Sequence, residues 1–189
     1  YKEQIRLTKR KYISGEDHYL NGKRYILKVV DSNAPSIKKE NAKSLVMYVR
    51  KSSSIENKEK LMNSFYKEQL SIKINKYLPE LENLIEVKSE GYSIRKMKNK
   101  WGSCNREKRT LIFNVDLAQK KDAEIKYVII HELLHLIEKN HNEHFRELMD
   151  YYCPKWKLHY NSLNKILKPM TIKIIGKNNL TNNPQLRKL

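Results

Sequence analysis

The spacing of apolar residues along this chain changes period twice. Near the N-terminus it is short. Tyr19-Leu20-Asn21-Gly22-Lys23-Arg24-Tyr25-Ile26-Leu27 sets Asn-Gly between two strand-like runs, the strongest short signal for a β-hairpin. Ser44 to Arg50 reads as a further strand. From Ser54 to about Leu78 the period lengthens. Leu61, Met62, Phe65, Leu70, Ile74 and Tyr77 recur at three- and four-residue steps, which predicts a long amphipathic helix ended by Pro79. Strands are expected at Leu84–Lys88, at Tyr92–Met97 and, after a basic turn at Asn105–Arg109, at Thr110–Val115.

The second change begins at Asp122, a reasonable N-cap. Ile125, Val128, Ile129, Leu133, Leu136 and Ile137 form one stripe, while Ile130 and Leu134 lie on the other side. A helix apolar on most faces belongs at the centre of a domain. Asn140 can take the left-handed conformation that ends such a helix. A short helix is expected from Glu143 to Tyr152 and another from Pro154 to about Leu167. Residues 176–189 are polar and aperiodic and read as a flexible basic tail. The pattern gives a single domain over 1–175, with a β-rich N-terminal lobe over about 1–52 and a second part over about 53–168.

Composition narrows the class. No apolar run among the 189 residues approaches the ~18 of a membrane span, and no signal-peptide pattern opens the chain. The two cysteines form no framework, so a reducing cytoplasm is the expected compartment. The formal charge is +18, unevenly spread: residues 154–189 carry 8 basic groups and no acidic one, whereas residues 122–153 carry 3 basic and 7 acidic groups. Such a surface could attract nucleic acid or an acidic partner. Scattered lysines on solvated faces explain it as well, since no nucleic-acid motif accompanies the charge.

The acidic segment holds the chemistry. Four of the six histidines fall at 131, 135, 141 and 144. On a helix His131 and His135 project from one face and can reach one metal ion. A catalytic zinc keeps three protein ligands and leaves a fourth position open. Glu132 flanks such a metal without ligating it alongside both histidines, where a general base would stand. His141 offers a third ligand beyond the helix; His144, Glu147 and Asp150 are competitors.

Three stretches carry a family resemblance: Ile13-Ser14-Gly15-Glu16 with Tyr19 to Tyr25, then Met97-Lys98-Asn99-Lys100-Trp101-Gly102-Ser103-Cys104, then Tyr127 to Leu136 with Asn140-His141 and Phe145. Together they make the chain resemble the YgjP-like zinc metallopeptidases, relatives of the SprT-like proteases. The resemblance implies Zn2+ held by His131, His135 and His141, Glu132 as general acid/base, and peptide or protein substrates. It implies a zincin-like α+β fold, with a twisted sheet packed against the central metal-bearing helix. Lys100 and Asp116 stand where arginine is expected, and Arg146 where tryptophan is frequent. The histidine spacing also matches metzincins, but those place a glycine where this chain has Glu138.

Trp101 reads as an apolar anchor with Gly102 permitting a tight path beside it. By the resemblance, this segment is a strand and turn shaping one wall of the cleft. Cys104 reads as a packed thiol; it would be a fourth ligand only in a structural site. His18 and His159 read as structural or solvated. Arg95, Lys96, Lys98, Lys100, Arg106, Lys108 and Arg109 would favour acidic substrates, or a protein bound to nucleic acid, if they border the cleft. No residue is singled out for the oxyanion; Lys100, His144 and nearby tyrosines are candidates. The alternative function is a basic nucleic-acid-associated protein with a structural or vestigial zinc site.

Overall fold

The computed structural model describes residues 10–164. The tail expected at 176–189 and a helix end near Leu167 lie outside the described residues. The first lobe is a four-stranded sheet of β1 (Asp17–Leu20), β2 (Lys23–Asp31), β3 (Ser36–Lys39) and β4 (Ser44–Val49), in the order β1-β2-β4-β3. The Asn-Gly hairpin is present. Asn21 (φ +52°) and Gly22 (φ +73°) are both left-handed, as a two-residue turn matching the strand twist requires. Its backbone amides donate to Ala118 and Gln119, in a short 3-10 helix over Val115–Gln119. The hairpin tip is thereby pinned next to the start of the histidine-bearing helix. Strand β3 was not expected from the sequence: Ser-Ile-Lys-Lys carries one apolar residue, and its pairing to β4 alone defines it.

Helix α1 (Ile55–Ile85) begins at Ser54, whose hydroxyl accepts from the Asn57 amide. It does not stop at Pro79. Leu78, Leu81 and Ile85 are buried, so core packing outweighs the lost backbone bond and carries the helix past the proline. Glu86, left-handed at φ +58°, ends it. The strand expected at Leu84–Lys88 is therefore absent: those residues are the last helical turn and its cap.

A second sheet has the order β5-β7-β6, from β5 (Gly91–Arg95), β6 (Gly102–Asn105) and β7 (Thr110–Asn114). β6 runs antiparallel to β7 and lies on the sheet's edge. The mixed α+β class holds, with two small sheets in place of one. Helix α2 (Asp122–Leu134) packs against α1, β6, α3 (Glu143–Tyr152) and α4 (Trp156–Asn164). Ile125, Ile129, Leu133 and Leu134 on it are fully buried, each contributing about 1.5–3 kcal/mol of apolar burial. The N-cap is Lys121, not Asp122. Glu124 reaches back to accept the Lys121 amide, while Asp122 accepts from Tyr77 (2.6 Å) and Lys73 (3.1 Å) and so ties α2 to α1. Among the described residues no helix is long and apolar enough to cross a membrane.

One histidine is structural. His18 of β1 is 1% exposed, with Nδ1 3.3 Å from the Tyr66 hydroxyl of α1. Burial, reinforced by the Arg10 charge and opposed by Glu16 and Asp17, brings its pKa down to about 4. The folded state thus favours neutral His18, while the unfolded chain protonates near the usual 6.5. Stability from this residue is complete above pH 6.5 and declines as pH falls toward 4, by ~3 kcal/mol in all. Denaturant unfolding of parent and His18→Gln between pH 7.5 and 4 should show the two profiles converging with acid; parallel profiles would reject the assignment.

Candidate metal centre

Helix α2 delivers its polar groups at its C-terminal end. His131 and His135 are one turn apart on one face, and His135 is itself the C-cap, still in right-handed conformation. The chain then tightens: Leu136 donates to Leu133, and Ile137 and Glu138 donate to Leu134. This turn reverses the chain without a left-handed residue, so the Asn140 expectation fails and the helix ends earlier than Ile137. The reversal has a chemical consequence. The Glu138 carbonyl lies 3.0 Å from His135 Nδ1, and a carbonyl only accepts, so Nδ1 carries the proton and Nε2 keeps its lone pair.

His141 comes back over the helix, its Nε2 3.1 Å from His131 Nε2. Potential ligand atoms of His131, His135 and His141 all lie within 4.8 Å of one another. Two nitrogens on a tetrahedral zinc stand about 3.3 Å apart, given Zn–N near 2.0–2.1 Å. The donor set fits such an ion. Burial, then the charges of His135 and His141, brings the His131 pKa down to about 3, and burial lowers those of His135 and His141. These shifts all favour the neutral imidazole, the form that ligation requires.

Phe145 of α3 supports them. It is buried, and its ring centroid is 5.1, 4.8 and 4.7 Å from those of His131, His135 and His141. The other ligand candidates lie elsewhere. His144 is exposed and faces Glu147 at 3.8 Å, and Asp150 accepts from Trp156 at 2.7 Å.

Glu132 lies outside the triad's ligand group and reaches β6. It is 5% exposed, and burial pushes its pKa up to about 8 against the pull of Lys100. Among the described residues no hydrogen-bond donor reaches its carboxylate. Gly102 covers it: a Cβ built on Gly102 would stand 2.6 Å from Glu132 Oε1, 2.7 Å from Cγ and 2.9 Å from Cδ. The glycine is needed for that close approach, since its φ is not left-handed.

The strand is held in place from behind. Asn114, buried at the end of β7, donates its side-chain amide to the carbonyls of Met97 (2.9 Å) and Lys100 (2.8 Å), and its backbone amide to Trp101. The Lys120 ammonium sits 5.0 Å from the Trp101 ring centroid, so the tryptophan anchors the segment as expected. Sequence reasoning missed Asn114 and the support given by Phe145. A polar residue closing an apolar strand is a weak cue for the former; nothing in local spacing marks the latter.

Trp101, Gly102, His131, Glu132, His135 and His141 line a cleft of ≈ 1500 Å³ walled by β6 on one side and α2 with His141 on the other. Cys104 of β6 also lines it as a free thiol, its pKa pushed up to about 11 by burial and by the Glu132 charge, and it is not in the ligand group.

Three histidines that could hold a metal ion, beside a buried carboxylate in an open cleft, have an arrangement suited to a metallohydrolase. The chain belongs to the YgjP-like family: the model of its metallopeptidase domain matches residues 1–166. It is thus a metal-dependent peptidase. Among solved structures, the metallopeptidase zymogen abylysin of Pyrococcus abyssi aligns with a TM-score of 0.43 and 19% identity, over 48% of this chain and 90% of that one. The zymogen jannalysin of Methanocaldococcus jannaschii aligns with a TM-score of 0.42 and 24% identity, over 48% of this chain and 95% of that one. No curated protein matches the chain.

Gly102→Ala is the direct probe of the strand–helix contact. The methyl must displace the Glu132 side chain or β6, costing about 1–3 kcal/mol of stability. Peptidase activity should fall on the order of 10²-fold, since misplacement by 1 Å has that effect, while one metal ion per chain is still retained. Metal analysis with turnover measurement checks both; unchanged turnover would show that the contact does not position Glu132.

Proposed function

We propose that the chain is a zinc peptidase of zincin-like architecture in which His131, His135 and His141 hold the ion and Glu132 is the general base. The observation carrying this reading is the separation of roles in space. Three imidazoles offer ligand atoms within 4.8 Å of one another, and the neighbouring carboxylate stays outside that group. Zinc held there would supply Lewis acidity, polarising the scissile carbonyl and lowering the pKa of a bound water toward ~7.

The chain's own groups do the rest. Glu132 takes a proton from the attacking water as its oxygen bonds to the carbonyl carbon, then delivers that proton to the amine as the C–N bond breaks. Burial makes the carboxylate more basic, and a zinc ion held beside it would favour the ionised form that accepts the proton. Gly102 keeps the carboxylate confined, and Phe145 keeps the imidazoles from turning away. The free edge of β6 presents unpaired backbone groups to the cleft, so an extended peptide can add to it as a further strand.

A structural or vestigial site has less support. Among the described residues the ligand group contains no thiolate and no carboxylate, which leaves a coordination position open. The unpaired thiols of Cys104 and Cys153 fit a reducing cytoplasm.

Glu132→Gln preserves the side-chain size and removes the base. Zinc content should stay near one per chain, and peptide hydrolysis at equal zinc loading should drop by about two to four orders of magnitude. Equal turnover by parent and variant would remove Glu132 from the mechanism, and loss of zinc would make it a ligand.

A further inference from the structure

Basic residues outnumber acidic ones around the cleft, and their placement is not uniform. Lys100, Arg106, Arg109 and Lys139 line it, against Glu107 and the buried Glu132. Arg95, Lys96, Lys98 and Lys108 of the same basic run do not. Among the described residues four lysines outside the cleft face carboxylates: Lys28 with Glu40, Lys73 with Asp122, Lys96 with Asp116 and Lys126 with Glu80. At the cleft, Lys100, Arg106 and Lys139 form no ion pair among the described residues.

Arg109 is already committed, with two nitrogens donating to the Lys88 carbonyl. Arg106 makes one long bond, 3.3 Å, to the Ile137 carbonyl. That bond draws the guanidinium to the turn that carries Lys139, so two cations share one end of β6. Lys100 stands before the other end, six residues away along a path that would span roughly 20 Å if extended. Unpaired cations along the walls of a cleft focus a positive field into it.

We infer that the cleft selects peptides bearing carboxylate side chains on either flank of the scissile bond, the Arg106–Lys139 pair receiving one flank and Lys100 the other. The inference rests on the peptidase reading and names its substrate class. A peptide added along β6 runs from one cationic end to the other. Its acidic side chains meet charges that no protein carboxylate occupies.

The experiment uses the full chain carrying Glu132→Gln, loaded with zinc, so that binding is read without turnover. The probes are fluorescent peptides of equal length, blocked at both termini, with Glu or Gln at the flanking positions. At low salt the Glu peptide should bind about tenfold more tightly than the Gln peptide. Adding Arg106→Gln and Lys139→Gln should bring the two within about twofold of each other, with zinc content unchanged. Adding Lys108→Gln instead, outside the cleft, should leave the preference intact.

Equal affinity for the two peptides, binding of neither, or loss of preference through Lys108→Gln would overturn the inference. A single-stranded oligonucleotide of equal charge that binds more tightly than the Glu peptide, and depends on Arg106 and Lys139, would overturn it in favour of nucleic acid. Turnover by the parent separates the two readings. Equal kcat/KM on both peptides overturns the selectivity and leaves the peptidase standing. Acid-selective binding with no cleavage of either supports the selectivity and counts against hydrolysis.

Discussion

A carboxylate buried beside the histidine triad, with no hydrogen-bond donor among the described residues, is the constraint around which the rest of the site is arranged. Desolvation of Glu132 is balanced by no described donor and only partly by the charge of Lys100. Such a group persists only where its surroundings are over-determined. Here α2 is buried on nearly every face, so it cannot rotate to expose Glu132. On the opposite side β6 comes so near that only a glycine hydrogen fits between backbone and carboxylate.

That constraint runs outward through the fold. Gly102 is held where it is because β6 pairs with β7, and because Asn114 ties down the loop before Trp101. The hairpin tip at Asn21-Gly22 and the Asp122–Tyr77 bond fix the start of α2 relative to the first sheet and α1. At the other end of α2, the Glu138 carbonyl settles which nitrogen of His135 faces the cleft. The N-terminal lobe, which contributes no proposed ligand or base, is part of what keeps the helix from shifting.

How much of this could be read from the sequence follows the range of the interactions involved. His131, Glu132 and His135 are set by helix periodicity alone, so their relative placement was legible. The α3 boundaries, Glu143 and Tyr152, were legible for the same reason, with Asn142 capping one end and Pro154 closing the other. Pro79 misled because a local rule was overridden by the burial of Leu78, Leu81 and Ile85. Asn140 misled because a tight turn of ordinary conformation can reverse a helix without a left-handed cap. His141 is the third ligand the sequence favours, with His144 its competitor; three residues of separation put one ring on the cleft and the other in solvent, and His141 groups with the helix pair. The Gly102–Glu132 contact joins positions thirty residues apart, and no local pattern could announce it.

The central claim is that three imidazoles make a zinc site that keeps one position open beside Glu132. Zinc K-edge X-ray absorption on the protein with one equivalent of zinc tests it most directly. Three imidazole nitrogens at about 2.0–2.1 Å and no sulfur are expected, with one imidazole contribution lost in His141→Ala. A sulfur scatterer near ~2.3 Å, which would bring Cys104 into the shell, or a shell closed by four protein ligands would contradict it.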